Sequence, residues 1–448
     1  MKRFIDTLKN IWRIEELRGK LLLTLGLLLI YRVGSNVVLP GVDPESLAQL
    51  QSQTSEGLLG ILNAFTGGAF ANASVLALGI MPYISASIII QLLGMAIPSI
   101  QKMQKEGESG RKKLNQITRY LTILIAGAQA PGYIANLMAQ QAQLTIDPGA
   151  FWFIAWIVLI TGTIFAMWLG ERITDKGIGN GISLLIMVGI IARLPQSFLQ
   201  ELLSQIGIAG GGWVLFILEV AALYLVTMFA IGLTQAVRKV PLQYAKRAAG
   251  GRITSQPMAR QYLPLKVNAA GVMPIIFAQA IMFIPITFLQ YSGADGESVS
   301  WVVNIFGNIQ GLWYNLVFAL LIILFTYFYT AIQVNTNNIA EDLKRSGGFV
   351  PGVKPGKPTA EYIDNILSKI TLPGSILLAV LAVLPAVAMV VGMNAQWSYF
   401  YGGTSLLITV GVVLDTLQQI ESYLLARHYD GLMKSGRISG RSSTVSSF

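Results

Sequence analysis

The sequence predicts an all-α polytopic membrane protein with ten transmembrane helices, and three observations predict it. Of 448 residues, 53% are apolar and only 12% charged, with a mean hydropathy of +0.59; soluble domains carry about 25% charged residues. Ten apolar runs approach the roughly 20 residues that a hydrocarbon core requires. The 32 Lys and Arg residues are scarce and lopsided: all but Arg32 and Arg193 fall on one side, in the termini and every second connection, as an excess of cations on the cytoplasmic side dictates.

The expected spans are residues 21–39, 74–97, 117–137, 151–169, 182–199, 213–234, 271–291, 313–334, 372–392 and 404–425. Arg32 interrupts the first, and the strongly apolar part of the fifth ends at Pro195. Residues 1–20 read as a cytoplasmic amphipathic segment, with Phe4, Leu8, Ile11 and Trp12 near one face. The connections after the third, seventh and ninth spans hold no Lys or Arg, so both termini are expected in the cytoplasm. The Gly-rich stretch Gly207–Gly212 divides the chain into a half of five helices (21–206) and a second half (207–425), followed by a cytoplasmic tail (426–448). Five helices per half implies that any internal repeat would be inverted, although the halves share no evident sequence similarity.

Composition excludes much chemistry. There is no Cys and a single His, His428, so disulfides, thiolate metal sites and Ser-His or Cys-His machinery are absent. The sequence GIGNG at 177–181 follows no strand, and GVKPGKP at 352–358 lacks the spacing and Ser/Thr of a phosphate loop. Neither indicates nucleotide binding. Glu219 stands in the sixth span with no evident chain of partners, which counts against an ion-coupled transporter.

Several features suggest a passage through the bundle. Ser85, Ser87 and Gln91 in the second span and Gln279 in the seventh place polar groups at depth; the commoner role of such residues is helix packing. Ile80 and Ile84, and Ile182 and Ile186, are pairs at i, i+4 and so share a helical face. Such pairs mostly face lipid or core. The segment 57–73, GLLGILNAFTGGAFANA, is too short to cross and reads as a re-entrant or plugging piece, with a partly buried surface loop as the alternative. The long basic loops 235–270 and 335–371 are rich in Gly and Pro, which favours a hairpin or extended tip over a helix. Their cations exceed what orientation needs, so a cytoplasmic partner, one bearing phosphates among the options, joins anionic lipid as an expectation.

Eight collinear stretches then resemble the SecY family. They are TGGAF at 66–70, ALGIMPYISASIIIQLL at 77–93, KEGESGRKK at 105–113, GERITDKGIGNGIS at 170–183, YAKR at 244–247, LPLKVNAAGVMPIIFA at 263–278, GGFVPGVKPGKPT at 347–359 and GGTSLLITVGVVLDTLQQIE at 402–421. The resemblance, nearest to cyanobacterial and plastid forms, implies a non-enzymatic, cofactor-free channel: two inverted five-helix halves around an hourglass pore in the plasma (inner) membrane, or in the thylakoid. It implies that unfolded preproteins cross and that transmembrane segments leave sideways into lipid. The implied pore ring is Ile80, Ile84, Ile182, Ile186, Ile276 and Ile408, a dewetting seal. The implied plug is 60–72, of which Gly60, Ile61, Leu62, Asn63, Ala64, Phe65, Thr66, Gly67, Gly68, Ala69 and Phe70 form the centre. Ser85, Ser87, Gln91, Gln279 and Ile284 fall on the lateral gate, between spans two and three and spans seven and eight.

Arg238, Lys239, Lys246 and Arg247, with Lys344, Arg345, Lys354 and Lys357, fall on the loops that dock the SecA motor ATPase or the ribosome. Where the family usually carries Arg, Lys354 keeps the charge but loses the planar fork. Further implied partners are the small subunits SecE and SecG, signal peptides, anionic lipids and a YidC-type insertase. A secondary transporter or ion channel for a small solute remains the alternative.

Overall fold

The computed structural model describes residues 12, 14–43, 63, 66–139, 146–206, 212–244, 261–279, 281–282 and 310–434. Its described residues are almost wholly helical. In chain order, α1 is Glu15–Gly34, α2 Met81–Ala96, α3 Pro98–Lys105, α4 Glu108–Ala139, α5 Pro148–Lys176, α6 Gly181–Ile206 and α7 Gly212–Gln235. Strands β1 (Val237–Tyr244) and β2 (Gln261–Lys266) follow, then helical residues 273–279. The chain continues through α8 (Leu312–Gln333), α9 (Thr336–Arg345), β3 (Gly348–Phe349), α10 (Lys357–Val390), α11 (Ala395–Ser398) and α12 (Gly403–Lys434).

Among the described residues, seven helices are long and apolar enough to cross a membrane, and the bent pair α2/α3 makes an eighth. α1 and the helical residues 273–279 fall on the other two expected spans, and most of the seventh lies outside the described residues. The helices outrun the apolar runs that announced them. α4 begins at Glu108, α10 at Lys357, and α6 continues through Pro195 to Ile206; their added turns carry polar residues, which hydropathy does not mark as part of a span. Residues 74–80 are the exception. They form turns rather than helix, and the helix starts only at Met81, with Pro82 in its first turn.

The chain forms two compact units: residues 1–51, 65–192 and 412–448 in one, and 52–64 and 193–411 in the other. In the first, α4 packs on α2 and α5, and α1 on α5. Lys20 of α1 donates to the Tyr423 hydroxyl at 2.9 Å and lies 4.4 Å from the centre of that ring. The GIGNG loop is occupied by the protein itself: Ile178 N–H donates to Thr24 Oγ1 at 3.1 Å and Gly179 N–H to Gln419 Oε1 at 2.8 Å. In the second unit α10 packs on α7, α8 and α9.

The described parts of loops 235–270 and 335–371 form a small sheet, ordered β2-β1-β3. β1 pairs antiparallel with β2 over Val237–Leu242, and with β3 through Gln243 and Tyr244. Alternation buries Val240 and Leu242 of β1, and these join Leu265, Leu343, Val350, Ile363 and Leu367 in one apolar cluster. The two loops are thus a single body seated on the first turns of α10. Gly348 lets them close: a Cβ there would lie 2.9 Å from Cε1 of Tyr244. Gly348→Val should therefore part β3 from β1, read as faster protease nicking of 335–356 with the membrane helices left intact.

Glu219 has the partners that the sequence did not reveal. Gln205 Nε2 donates to Glu201 Oε1 at 2.9 Å and to Glu219 Oε1 at 3.2 Å, Glu201 Oε2 accepts from Asn394 N–H at 3.1 Å, and the Tyr401 hydroxyl donates to the Glu219 carbonyl at 2.7 Å. This buried polar knot ties α6 and α7 to the connection after α10.

Candidate functional site

The first unit seats the Gly-rich segment after the first span. Thr66, Ala69 and Phe70 are buried, and the segment's polar groups are satisfied inside the protein. Phe70 N–H donates to Thr66 Oγ1 at 3.2 Å, the Tyr133 hydroxyl of α4 donates to the Phe70 carbonyl at 2.8 Å, and the Arg32 guanidinium of α1 donates to the Gly67 carbonyl at 2.6 Å. The rings of Phe70 and Tyr133 meet edge to face at 4.8 Å. Irregular backbone at membrane depth survives only in such surroundings. Of the expected plug, Asn63 is buried, whereas Gly60, Ile61, Leu62, Ala64 and Phe65 lie outside the described residues.

The expected ring residues fall into two groups. Ile80 and Ile84 are one turn apart at the start of α2, with Ile84 N–H bonded to the Ile80 carbonyl at 3.0 Å. Ile182 and Ile186 occupy the first two turns of α6. All four belong to the first unit, and Ile80 and Ile186 are buried in it. In the second unit Ile408 is buried in α12. Three residues on, a Cβ at Gly411 would lie 3.6 Å from Val272 Cγ2, which places the Ile408 turn beside the turn that leads to Ile276.

Of the polar residues, Gln91 Nε2 donates to Ser87 Oγ at 3.4 Å along α2, and Ser85 is half-buried. Gln279 is buried and lines a small cleft of the second unit with Tyr314, Asn315, Thr404 and Ser405. Ile284 lies outside the described residues.

The described docking cations are all exposed on the strands, helix end and turn that make up the sheet region. Arg238 and Lys239 project from β1, Lys344 and Arg345 from the end of α9, and Lys354 and Lys357 from the turn before α10. Arg345 pairs with Glu341 at 3.5 Å, both exposed, an arrangement worth little in water. Exposed cations around an apolar cluster suit this region to an anionic partner. Lys246 and Arg247 lie outside the described residues.

Sequence reasoning missed Arg32 and Tyr133. A lone cation inside an apolar run was the available signal for Arg32; a tyrosine among aromatics offered none.

Comparison with known proteins decides the family. The SecY family profile matches residues 74–417. The protein translocase subunit SecY of Bacillus licheniformis is 44% identical over 437 residues, covering 96% of this chain and 99% of that one. The chain belongs to the SecY family. The SecY subunits of Streptomyces galbus and Vibrio cholerae are each 41% identical, over 94% and 95% of this chain and 98% and 96% of theirs. Among solved structures, a protein-conducting channel superposes with a TM-score of 0.63 at 19% identity, covering 90% of this chain and 92% of that one. Sec61 from a canine ribosome-channel complex gives 0.61 at 19% over the same shares. These likenesses establish the channel fold for a member of the family, an integral membrane protein that is not an enzyme.

Proposed function

We propose that this SecY-family chain is the channel-forming subunit of a Sec-type translocon, passing unfolded preproteins across the membrane and releasing transmembrane segments through a lateral gate. The observation that carries this is the family match, collinear over 74–417 and joined to the fold of a protein-conducting channel. The six isoleucines of the implied ring supply the seal: apolar side chains exclude water and ions, yet yield to any passing sequence. The buried Thr66–Phe70 segment is the return limb of the plug. Spans two and three against seven and eight form the gate, where a signal peptide partitions because each buried CH₂ contributes about 0.8 kcal/mol.

The basic face of the sheet docks the SecA motor or the ribosome. Its charge, and the ribosome-bound state of the canine relative, support this. SecE, SecG, anionic lipid and a YidC-type insertase complete the set of partners. The cation asymmetry supports cytoplasmic termini, in the plasma or the thylakoid membrane.

The chain has no Cys, so single cysteines at Ile84 and Ile276 report on the path directly. A precursor arrested mid-passage should crosslink to both. Absence of crosslinks at either site in active membranes, together with uptake of a small solute, would replace this reading with the transporter alternative.

A further inference from the structure

Arg32 lies in the last turn of α1, one of the two cations that charge asymmetry assigns to the non-cytoplasmic side. A guanidinium in a membrane span is costly unless its donors find acceptors. Here Nη1 donates to the Gly67 carbonyl at 2.6 Å and to Ser35 Oγ at 3.3 Å. Ser35 is buried, and its hydroxyl donates back to the Arg32 carbonyl at 2.7 Å, so the helix end and the guanidinium are fixed together.

The other holds on the segment are of different kinds. Gly67, at φ +65°, lies so close to α6 that a Cβ would stand 2.6 Å from the α-carbon of Gly189, and Phe70 is held by the Tyr133 ring and hydroxyl. Three helices therefore grip five residues, and only α1 grips them through a charge. That contact is also the one most sensitive to water. In a closed, dry seat a charged hydrogen bond is strong, whereas water entering the pore offers the guanidinium other acceptors.

We infer that Arg32 is a positioning residue for translocation: its bond to the Gly67 carbonyl sets how readily the Thr66–Phe70 segment leaves its seat. The inference rests on the plug reading above, and the experiment separates the two.

The full chain, assembled with its small subunits in proteoliposomes, is given a single cysteine at Ala69, which is fully buried. Labelling by a water-soluble maleimide then reports release of the segment, and resting ion conductance reports the seal. Arg32→Gln should speed labelling and raise conductance about tenfold or more, the change expected on losing one hydrogen bond to a charged group. Arg32→Lys should restore much of the difference, and acceptance of a precursor with a weakened signal peptide should rise in parallel. A merely structural role would lower transport of every precursor instead.

Tyr133→Phe loosens the same segment independently. Faster labelling and higher conductance in Tyr133→Phe but unchanged values in Arg32→Gln would overturn the role of Arg32 and leave the plug reading standing. Faster labelling in both variants with no rise in conductance would overturn both, since the segment would then seal nothing. If Arg32→Gln fails to assemble, Arg32→Met, which keeps much of the length without the donors, is read the same way: labelling faster than wild type supports the inference, and equal labelling overturns it.

Discussion

Val240→Asp should abolish motor-driven transport while leaving the membrane helices assembled. Val240 is buried at the centre of the cluster that joins β1 to α9 and α10. A carboxylate there finds no cation among the cluster's apolar members, and burying it costs on the order of 3 to 5 kcal/mol, more than a three-stranded sheet of this size holds in reserve. The sheet would leave its seat and scatter Arg238, Lys239, Lys344, Arg345, Lys354 and Lys357, which act as a surface only while they share one rigid base. Motor co-sedimentation and precursor import into inverted vesicles would both fall to background, while crosslinking within the membrane stayed unchanged. Val240→Ile, which keeps volume and polarity close, should transport normally. Full import by the Asp variant would show that the basic face is dispensable.

Ile408→Asn should have the opposite sign, making the channel too permissive. Ile408 is buried in α12, beside the turn that leads to Ile276. The change removes about 2 kcal/mol of apolar burial and adds an amide that must be hydrated at a cost of about 1–3 kcal/mol if left dry. Both favour water in the constriction, so the closed state loses more than the open one. Precursors with crippled signal peptides should be accepted several-fold more often and resting ion leak should rise. Unchanged leak together with unchanged stringency would remove Ile408 from the seal.

Much of this molecule is written in its hydropathy and charge. The ten apolar runs and the one-sided cations fix the spans, because lipid allows no other arrangement of such residues. That loop 235–270 turns back as a hairpin or extended tip was legible too, from its Gly and Pro residues. Its union with the second loop was not: β3 is two residues long, and the pairing of Tyr244 with Gly348 crosses a hundred residues that carry no local mark of it. The knot around Glu219 was hidden for the same reason, since Glu201 and Tyr401 are neighbours only in space. Arg32 was visible as an interruption of its span, but its acceptor is a backbone carbonyl, and a carbonyl has no residue type to read. Among the candidate site residues, family motifs located the isoleucines, whereas geometry alone exposed the groups that hold the segment beside them.

The union of sheet and helix has a mechanical side. α10 is one continuous helix of 34 residues, about 50 Å at 1.5 Å per residue, and its first turns anchor the sheet. A machine that leans on the sheet therefore leans on a strut. Load placed on the sheet would travel down the shaft with no loop to absorb it, and Pro373 and Pro385 within that helix are the points where it can flex.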